Sequence, residues 1–248
     1  MDYEIGDMTL LPPGTVELHD ARRGIRRTVR LEAFSISRCA LVRNGSDRPM
    51  SSMTWLEAVD LCNRLSSAHG LQSAYTINDR WVRWNVRADG FRLPTEAEWE
   101  YACRAGTAGP HYGDLQKIAW TSLDGIDGPQ PVRRKQPNAF GLYDTLGNVW
   151  EWCWDYLDPA RYGDYRVFRG GSWADPPWSV RASTRRGSAP DAVVEGTGLR
   201  LARGAVGTDG PEGSEAAQGW SATQDRARAS ISGPLPAGWT PLRELAVR

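Results

Sequence analysis

The stretch Pro137-Asn-Ala-Phe-Gly-Leu-Tyr-Asp-Thr-Leu-Gly-Asn-Val-Trp-Glu-Trp-Cys-Trp-Asp155 places Phe140, Tyr143, Trp150, Trp152 and Trp154 within fifteen residues. Rings at that density bury large apolar areas and fix where a core must form. Gly141 and Gly147 interrupt the stretch, where the backbone can turn with positive φ or pass close to another segment. Oxygen-bearing side chains recur at Asp144, Asn148, Glu151 and Asp155. A glycine turn with carboxylates seven residues apart (Asp144 and Glu151) suits a hard cation such as calcium, with backbone carbonyls completing the shell. The same residues suit a tight turn before an aromatic core strand, with the acids capping or solvated.

The chain supplies ample material around that core. Its 248 residues fit one large domain, or one domain plus a tail, and include 12 tryptophans. Lys plus Arg and Asp plus Glu both number 30, a zero formal net charge that argues against a nucleic-acid binder relying on phosphate attraction. No apolar run reaches membrane-spanning length. The acidic opening Met1-Asp-Tyr-Glu-Ile-Gly-Asp7 does not read as a signal peptide. Cys39, Cys62, Cys103 and Cys153 are scattered and read as buried free thiols, so a reduced, cytoplasmic protein is expected.

Two helices are marked by capping boxes, in which a threonine and a glutamate satisfy each other's backbone N–H groups. Thr54-Trp-Leu-Glu57 opens one, with Trp55, Ala58, Leu61, Cys62 and Leu65 at helical spacing and Gly70 as its stop. Thr95-Glu-Ala-Glu98 opens the other, through Arg104 to Gly106. Glu96, Glu98 and Glu100 read as charges suited to the helix N-terminus, and Glu100 to Arg104 as an i,i+4 pair. Thr28 to Ile36 reads as one strand, residues 73–92 as a hairpin, Arg166 to Arg169 as a short strand and Gly198 to Ala202 as a closing strand. Ser172 to Glu195 reads mostly as loop. Residues 204–234 are rich in Gly, Ser, Ala and charge and read as a linker or tail.

Three ordered motifs carry a resemblance: Phe91-Arg-Leu-Pro-Thr-Glu-Ala-Glu-Trp-Glu-Tyr-Ala-Cys-Arg-Ala-Gly106, the aromatic stretch, and Arg169-Gly-Gly-Ser-Trp173 with Gly198-Leu-Arg-Leu-Ala202. Together they resemble the formylglycine-generating enzyme (sulfatase-modifying factor) family. The resemblance implies an α+β fold, a variant of the C-type lectin-like fold, low in regular secondary structure and with two main helices. It implies a domain over residues 1–205 and a tail over 206–248, in which 236–248 reads as a docking segment. It further implies a structural calcium held by the Asp144 and Glu151 side chains and the Gly147 and Val149 carbonyls. A first family calcium site uses an asparagine where this chain has Trp120, and is not carried over.

The family's oxidases bind copper with two cysteines in the segment after Gly-Gly-Ser, thiolates being soft ligands for Cu(I). Ser172 to Arg203 contains no cysteine, so no copper is expected. A second branch uses a His/Glu iron site, and His19, His69 and His111 do not supply its spacing. The resemblance therefore implies a non-catalytic binding or regulatory module, of the kind formed by variable ligand-binding proteins and non-catalytic paralogues. The ligand, a protein or small molecule, is expected at the 173–195 loop through Trp173, Asp175, Trp178, Arg181, Arg185 and Arg186, residue types enriched at binding hot spots. No nucleic-acid or membrane partner is expected. The alternative is a divergent metal-dependent oxidase of the same family acting on a peptide or small-molecule thiol.

Overall fold

A computed structural model gives the fold and describes residues 3–20, 25–204 and 218–221. The chain begins with β1 (Tyr3–Glu4), β2 (Met8–Leu11), β3 (Gly14–Asp20), β4 (Ile25–Leu31), β5 (Phe34–Ser37) and β6 (Val42–Arg43). Then come α1 (Trp55–Ala68), β7 (Tyr75–Asn78), β8 (Trp81–Trp84), α2 (Glu96–Arg104) and α3 (Leu115–Ile118). The second half holds β9 (Trp150–Tyr156), α4 (Pro159–Tyr162), β10 (Arg166–Arg169), β11 (Arg185–Ser188), β12 (Thr197–Gly198) and β13 (Ala202–Arg203). This is an α+β fold with two main helices and long irregular connections, as the resemblance implies.

Both main helices start where the sequence places them. In α1 the Thr54 hydroxyl accepts from the Glu57 N–H at 3.0 Å, and the Glu57 carboxylate accepts from the Thr54 N–H at 2.7 Å. Thr95 and Glu98 repeat both bonds at the head of α2. Helix α1 buries Trp55, Ala58, Leu61, Cys62 and Leu65 on one face. Helix α2 ends on Ala105 in the left-handed region, followed by Gly106.

The aromatic stretch becomes β9, an inner strand of a four-stranded sheet ordered β11-β10-β9-β12. Strands β10 and β9 are antiparallel; β12 joins β9 in parallel. Six of its seven residues are buried, because the sheet is covered on both faces and alternation toward solvent is lost. Trp154 stacks on Tyr75 with ring centroids 5.0 Å apart, and Trp55 and Trp84 each lie 5.4 Å from it. The Arg166 guanidinium sits inside this group, 3.9 Å from the Trp55 ring and 3.7 Å from the Tyr156 ring. These ring faces, and a 2.6 Å bond to the Trp154 carbonyl, compensate the buried cation.

Three sequence expectations change. The strand read over 28–36 is two strands, since β4 pairs with β3 and β5 pairs with β2 and β13, with Glu32 and Ala33 exposed at the break. The closing strand over 198–202 is likewise split: β12 belongs to the β9 sheet and β13 to the β5 sheet, so Leu199 to Leu201 stitch the two together. Within the stretch read as tail, Gln218 to Ser221 lie against the domain, with Gln218 buried and Trp220 packed 5.4 Å from Trp154. The segment 236–248 lies outside the described residues.

Candidate functional site

The turn before β9 is built on positive-φ residues. Asp144, Gly147 and Asn148 have φ of 53°, 71° and 60°. A Cβ at Gly147 would stand 2.2 Å from the Trp120 carbonyl oxygen, so glycine is required there by both space and φ. Asn148 closes the turn by accepting from the Gln130 N–H at 2.8 Å and donating to the Gln130 carbonyl at 3.0 Å.

Asp144 and Glu151 have very different surroundings. One Asp144 oxygen, Oδ2, accepts from the Arg133 N–H at 2.8 Å, while Oδ1 is buried and unpartnered. Burial pushes the Asp144 carboxyl up to about 6, against the opposing pull of the Arg133 N–H and the Arg200 charge. Glu151 is fully buried and receives the Arg200 guanidinium through Nη2 at 2.7 Å and Nε at 2.9 Å, and the Trp99 indole N–H at 2.7 Å. Glu151 thus meets an arginine rather than solvent or a backbone cap. Of the calcium set, Asp144 offers an unpartnered hard oxygen and Gly147 and Val149 offer carbonyls. Glu151 brings charge, but its oxygens are already hydrogen-bonded. Within that set, Asp144 Oδ1 is a buried hard oxygen without a partner.

The acids at the head of α2 are not simply helix-end charges. Glu98 is paired by Arg92 in a bidentate fork at 2.6 and 2.7 Å. Glu96 and Glu100 share the Arg169 guanidinium, and Glu96 is also held by Arg185 through Nη2 at 2.7 Å. All three acids are buried, as are Arg92 and Arg169. The helix-end reading is corrected because these side chains turn into the domain, where each needs a cation.

The 173–195 loop divides its expected ligand residues into two groups. Asp175 is buried and saturated: Oδ2 accepts from the Ser172 N–H and hydroxyl at 2.9 and 2.7 Å and from the Trp150 indole at 2.8 Å, and Oδ1 meets Arg186 at 3.0 Å. Arg185 points inward to Glu96. Its neighbour Arg186 points to the other face and lies 4.9 Å over the Trp150 ring, as the alternation of β11 dictates. Asp175 and Arg185, both expected at the ligand, have their charges paired inside the domain. Trp173 is half-buried, and its N–H donates to the Asn148 carbonyl at 2.9 Å. Trp178, 70% exposed, and Arg181 face solvent. The structure therefore brings Asp175 and Arg186 together beside Trp150, holds Trp173 through its backbone to Asn148, and leaves Trp178 and Arg181 exposed on the surface.

All four cysteines are buried and unpaired. Burial pushes the Cys103 thiol up to about 12 and raises Cys62 and Cys153 as well, so these thiols stay protonated at neutral pH. Among the described residues, no three His, Cys, Asp or Glu side chains gather as a metal site. The residues that sequence reasoning missed are Arg92, Arg169 and Arg200. Their signal was present: each is a lone cation in an apolar or glycine-rich motif, in a chain with three glutamates crowded at one helix start.

A small irregular α+β domain with a central aromatic strand and a long loop after Gly-Gly-Ser is a C-type lectin-like scaffold of the formylglycine-generating type. The sulfatase-modifying factor enzyme 1-like domain family matches residues 37–205, more than half of the chain, and the chain belongs to that family. The inactive C-alpha-formylglycine-generating enzyme 2 of Bos taurus is 34% identical over 192 residues, covering 66% of this chain and 64% of its own length. The formylglycine-generating enzyme of Streptomyces coelicolor is 36% identical over 52% of this chain and 53% of its own. The chaperone protein LppX of Paenibacillus barcinonensis is 28% identical, with 64% of this chain and 71% of its own covered. The chain thus spans between about half and 71% of these relatives. Among solved structures, the Treponema denticola variable protein 1 superposes with a TM-score of 0.73 at 27% identity over 82% of this chain and 98% of its own. PvdO from Pseudomonas aeruginosa shares the fold, with a TM-score of 0.63 at 24% identity over 80% of this chain and 94% of its own.

Proposed function

We propose that this chain is a non-catalytic binding or regulatory module, which engages a protein or small-molecule ligand at the exposed part of the 173–195 loop. One observation carries the reading. The segment that holds the copper-binding cysteine pair in the family's oxidases, Ser172 to Arg203, has no cysteine here, and its Asp175 ties the loop to Trp150 and Ser172. With the loop anchored, Trp178 and Arg181 stand in solvent without packing duties, and Arg186 flanks them in the sequence. Tryptophan and arginine are the residue types that concentrate binding energy at interfaces. The similarity to a variable protein and to a relative named inactive supports the same reading.

A structural calcium ion belongs to this proposal. Asp144, the Gly147 and Val149 carbonyls and Glu151 would hold it, and the ion would supply the positive charge that the buried Asp144 Oδ1 lacks. Its role would be to clamp the irregular turn before β9.

The test has two arms. Copper-loaded protein is assayed for oxygen consumption with a cysteine-containing peptide, and none is expected; turnover would replace this reading with the oxidase one. In parallel, native-host lysate is passed over the wild-type chain and the Trp178→Ala/Arg181→Ala variant. A partner retained by the first and lost by the second is expected, and equal retention would move the binding face elsewhere.

A further inference from the structure

We infer that the domain carries an acceptor site for a turned Gln-Gly-Trp peptide, filled here by the chain's own Gln218-Gly219-Trp220, in which Gln218 and Gly219 both have positive φ. The inference is independent of the loop face and rests on how each of the three residues is held.

Gln218 is recognised as a strand would be. Its side-chain amide donates to the Glu32 carbonyl at 3.0 Å and accepts from the Glu32 N–H at 2.7 Å, at the break between β4 and β5. No other residue type offers a donor and an acceptor at that reach with no charge to bury, since glutamate has no donor when ionised. The Gln218 carbonyl accepts from the Thr95 hydroxyl at 2.7 Å, on the residue that caps α2. Next, Gly219 has φ of 91°, and a Cβ there would lie 2.8 Å from Val29 and 2.9 Å from Ala97. Only glycine passes between β4 and α2 at that distance. Its carbonyl accepts from the Arg27 guanidinium at 2.7 Å. Finally, the Trp220 ring packs 5.4 Å from Trp154, edge-on, and 5.9 Å from Trp84.

Three side-chain identities are thus read by three separate devices: a backbone-like amide pair, a steric gate and an aromatic pocket. That is the anatomy of a peptide-recognition site rather than of generic tail packing, which needs only apolar area. The peptide is joined to the domain by residues 205–217, thirteen in number, which reach at most on the order of 45 Å. Being part of the same chain, the peptide meets the site intramolecularly. An outside peptide therefore competes poorly until the tether is cut.

The experiment uses the full chain with a protease recognition sequence placed within residues 206–213 and cut after folding. The probe is a fluorescent peptide of residues 214–224. Exchange of the released C-terminal fragment for the probe is expected on the cut protein, with unlabelled peptide competing. Peptides carrying Gly219→Val or Trp220→Ala should bind at least tenfold more weakly. Uncut protein should take up the probe at least tenfold less well. The inference is overturned by any of three results: no probe binding to the cut protein, equal binding of the substituted peptides, or unfolding of the body on loss of the fragment that the probe does not reverse. As a second measurement on the intact chain, Trp220→Ala should raise acrylamide quenching of tryptophan emission, and unchanged quenching counts against the site.

Discussion

The Arg200 guanidinium meets the Glu151 carboxylate at 2.7 Å, and neither side chain is exposed to solvent. The pair joins the strand of the aromatic motif to the closing motif, whose Leu201 N–H also donates to the Ser37 hydroxyl oxygen at 3.0 Å. Removing one charge leaves the other buried and uncompensated. Glu151→Gln is therefore expected to destabilise the domain by about 3–5 kcal/mol. Combining Glu151→Leu with Arg200→Met should recover part of that loss. Recovery stays incomplete because the Ser37 and Tyr143 carbonyls and the Trp99 indole lose partners. Urea unfolding of the single and double variants checks both numbers; a neutral Glu151→Gln would refute the pair's structural weight.

The Glu96–Asp155 contact sets a pH dependence. The Asp155 carboxylate accepts from the Glu96 N–H at 2.6 Å. Burial, with the Glu96 charge adding, pushes the Asp155 carboxyl up to about 6. Burial also pushes Glu96 up, but Arg185 and Arg169 outweigh it and hold that carboxyl at about 2. For Asp155, the folded state binds the proton more tightly than the unfolded chain. Its contribution is present below about pH 4 and lost as pH rises through about 6. For Glu96 the sign is reversed: its contribution is present above about pH 4.5 and lost as pH falls through about 2. Asp155→Asn keeps the acceptor and removes the charge. It should flatten the decline between pH 4 and 6 and stabilise the domain at neutral pH by on the order of 1–3 kcal/mol. Unfolding midpoints measured across pH 4–8 decide it.

The calcium proposal predicts chelator sensitivity. Protein purified without chelator should contain calcium by elemental analysis, and added chelator should lower the thermal midpoint by several degrees. Asp144→Ala, which leaves the Glu151–Arg200 pair in place, should abolish the chelator response. An unchanged midpoint together with no bound calcium would remove the ion from this chain.

The exposed loop side chains should separate binding from stability. Trp178→Ala and Arg181→Ala remove no buried contact, so each should change stability by no more than about 0.5 kcal/mol. If they carry the partner, each should weaken its capture by about tenfold or more. Arg185→Ala is the contrast: it removes one of the two arginines that hold the buried Glu96 and should lower stability before it affects any ligand.

Most of the scaffold was legible in the residues. Thr54, Glu57, Thr95 and Glu98 state where the helices begin because capping is local chemistry. The aromatic stretch states where the core lies because five rings leave it no other place. The inward turn of Glu96, Glu98 and Glu100 was not legible in the same way. Arg169 and Arg185 come from distant strands and Arg92 from the irregular segment just before the helix, and a helix-end charge looks identical in sequence whether solvent or an arginine answers it. The internal pairing of Asp175 and Arg185 was hidden for the same reason: their partners Trp150, Ser172 and Glu96 are set by the tertiary fold, which the loop's composition does not encode. Gln218 to Trp220 escaped because three specific residues lie inside a stretch of small and charged ones, and average composition hides a recognition sequence of that length.

Asp175 also shapes what this surface can become. By gathering Ser172, Trp150 and Arg186 it holds the loop's conformation from beneath, in the way a frame holds a canvas. Positions such as 178 and 181 lie on the painted side. Substitutions there rewrite what the surface presents while the backbone that displays them stays where it is. A lineage carrying this domain can therefore explore new partners one exposed side chain at a time, with its folding left out of the experiment.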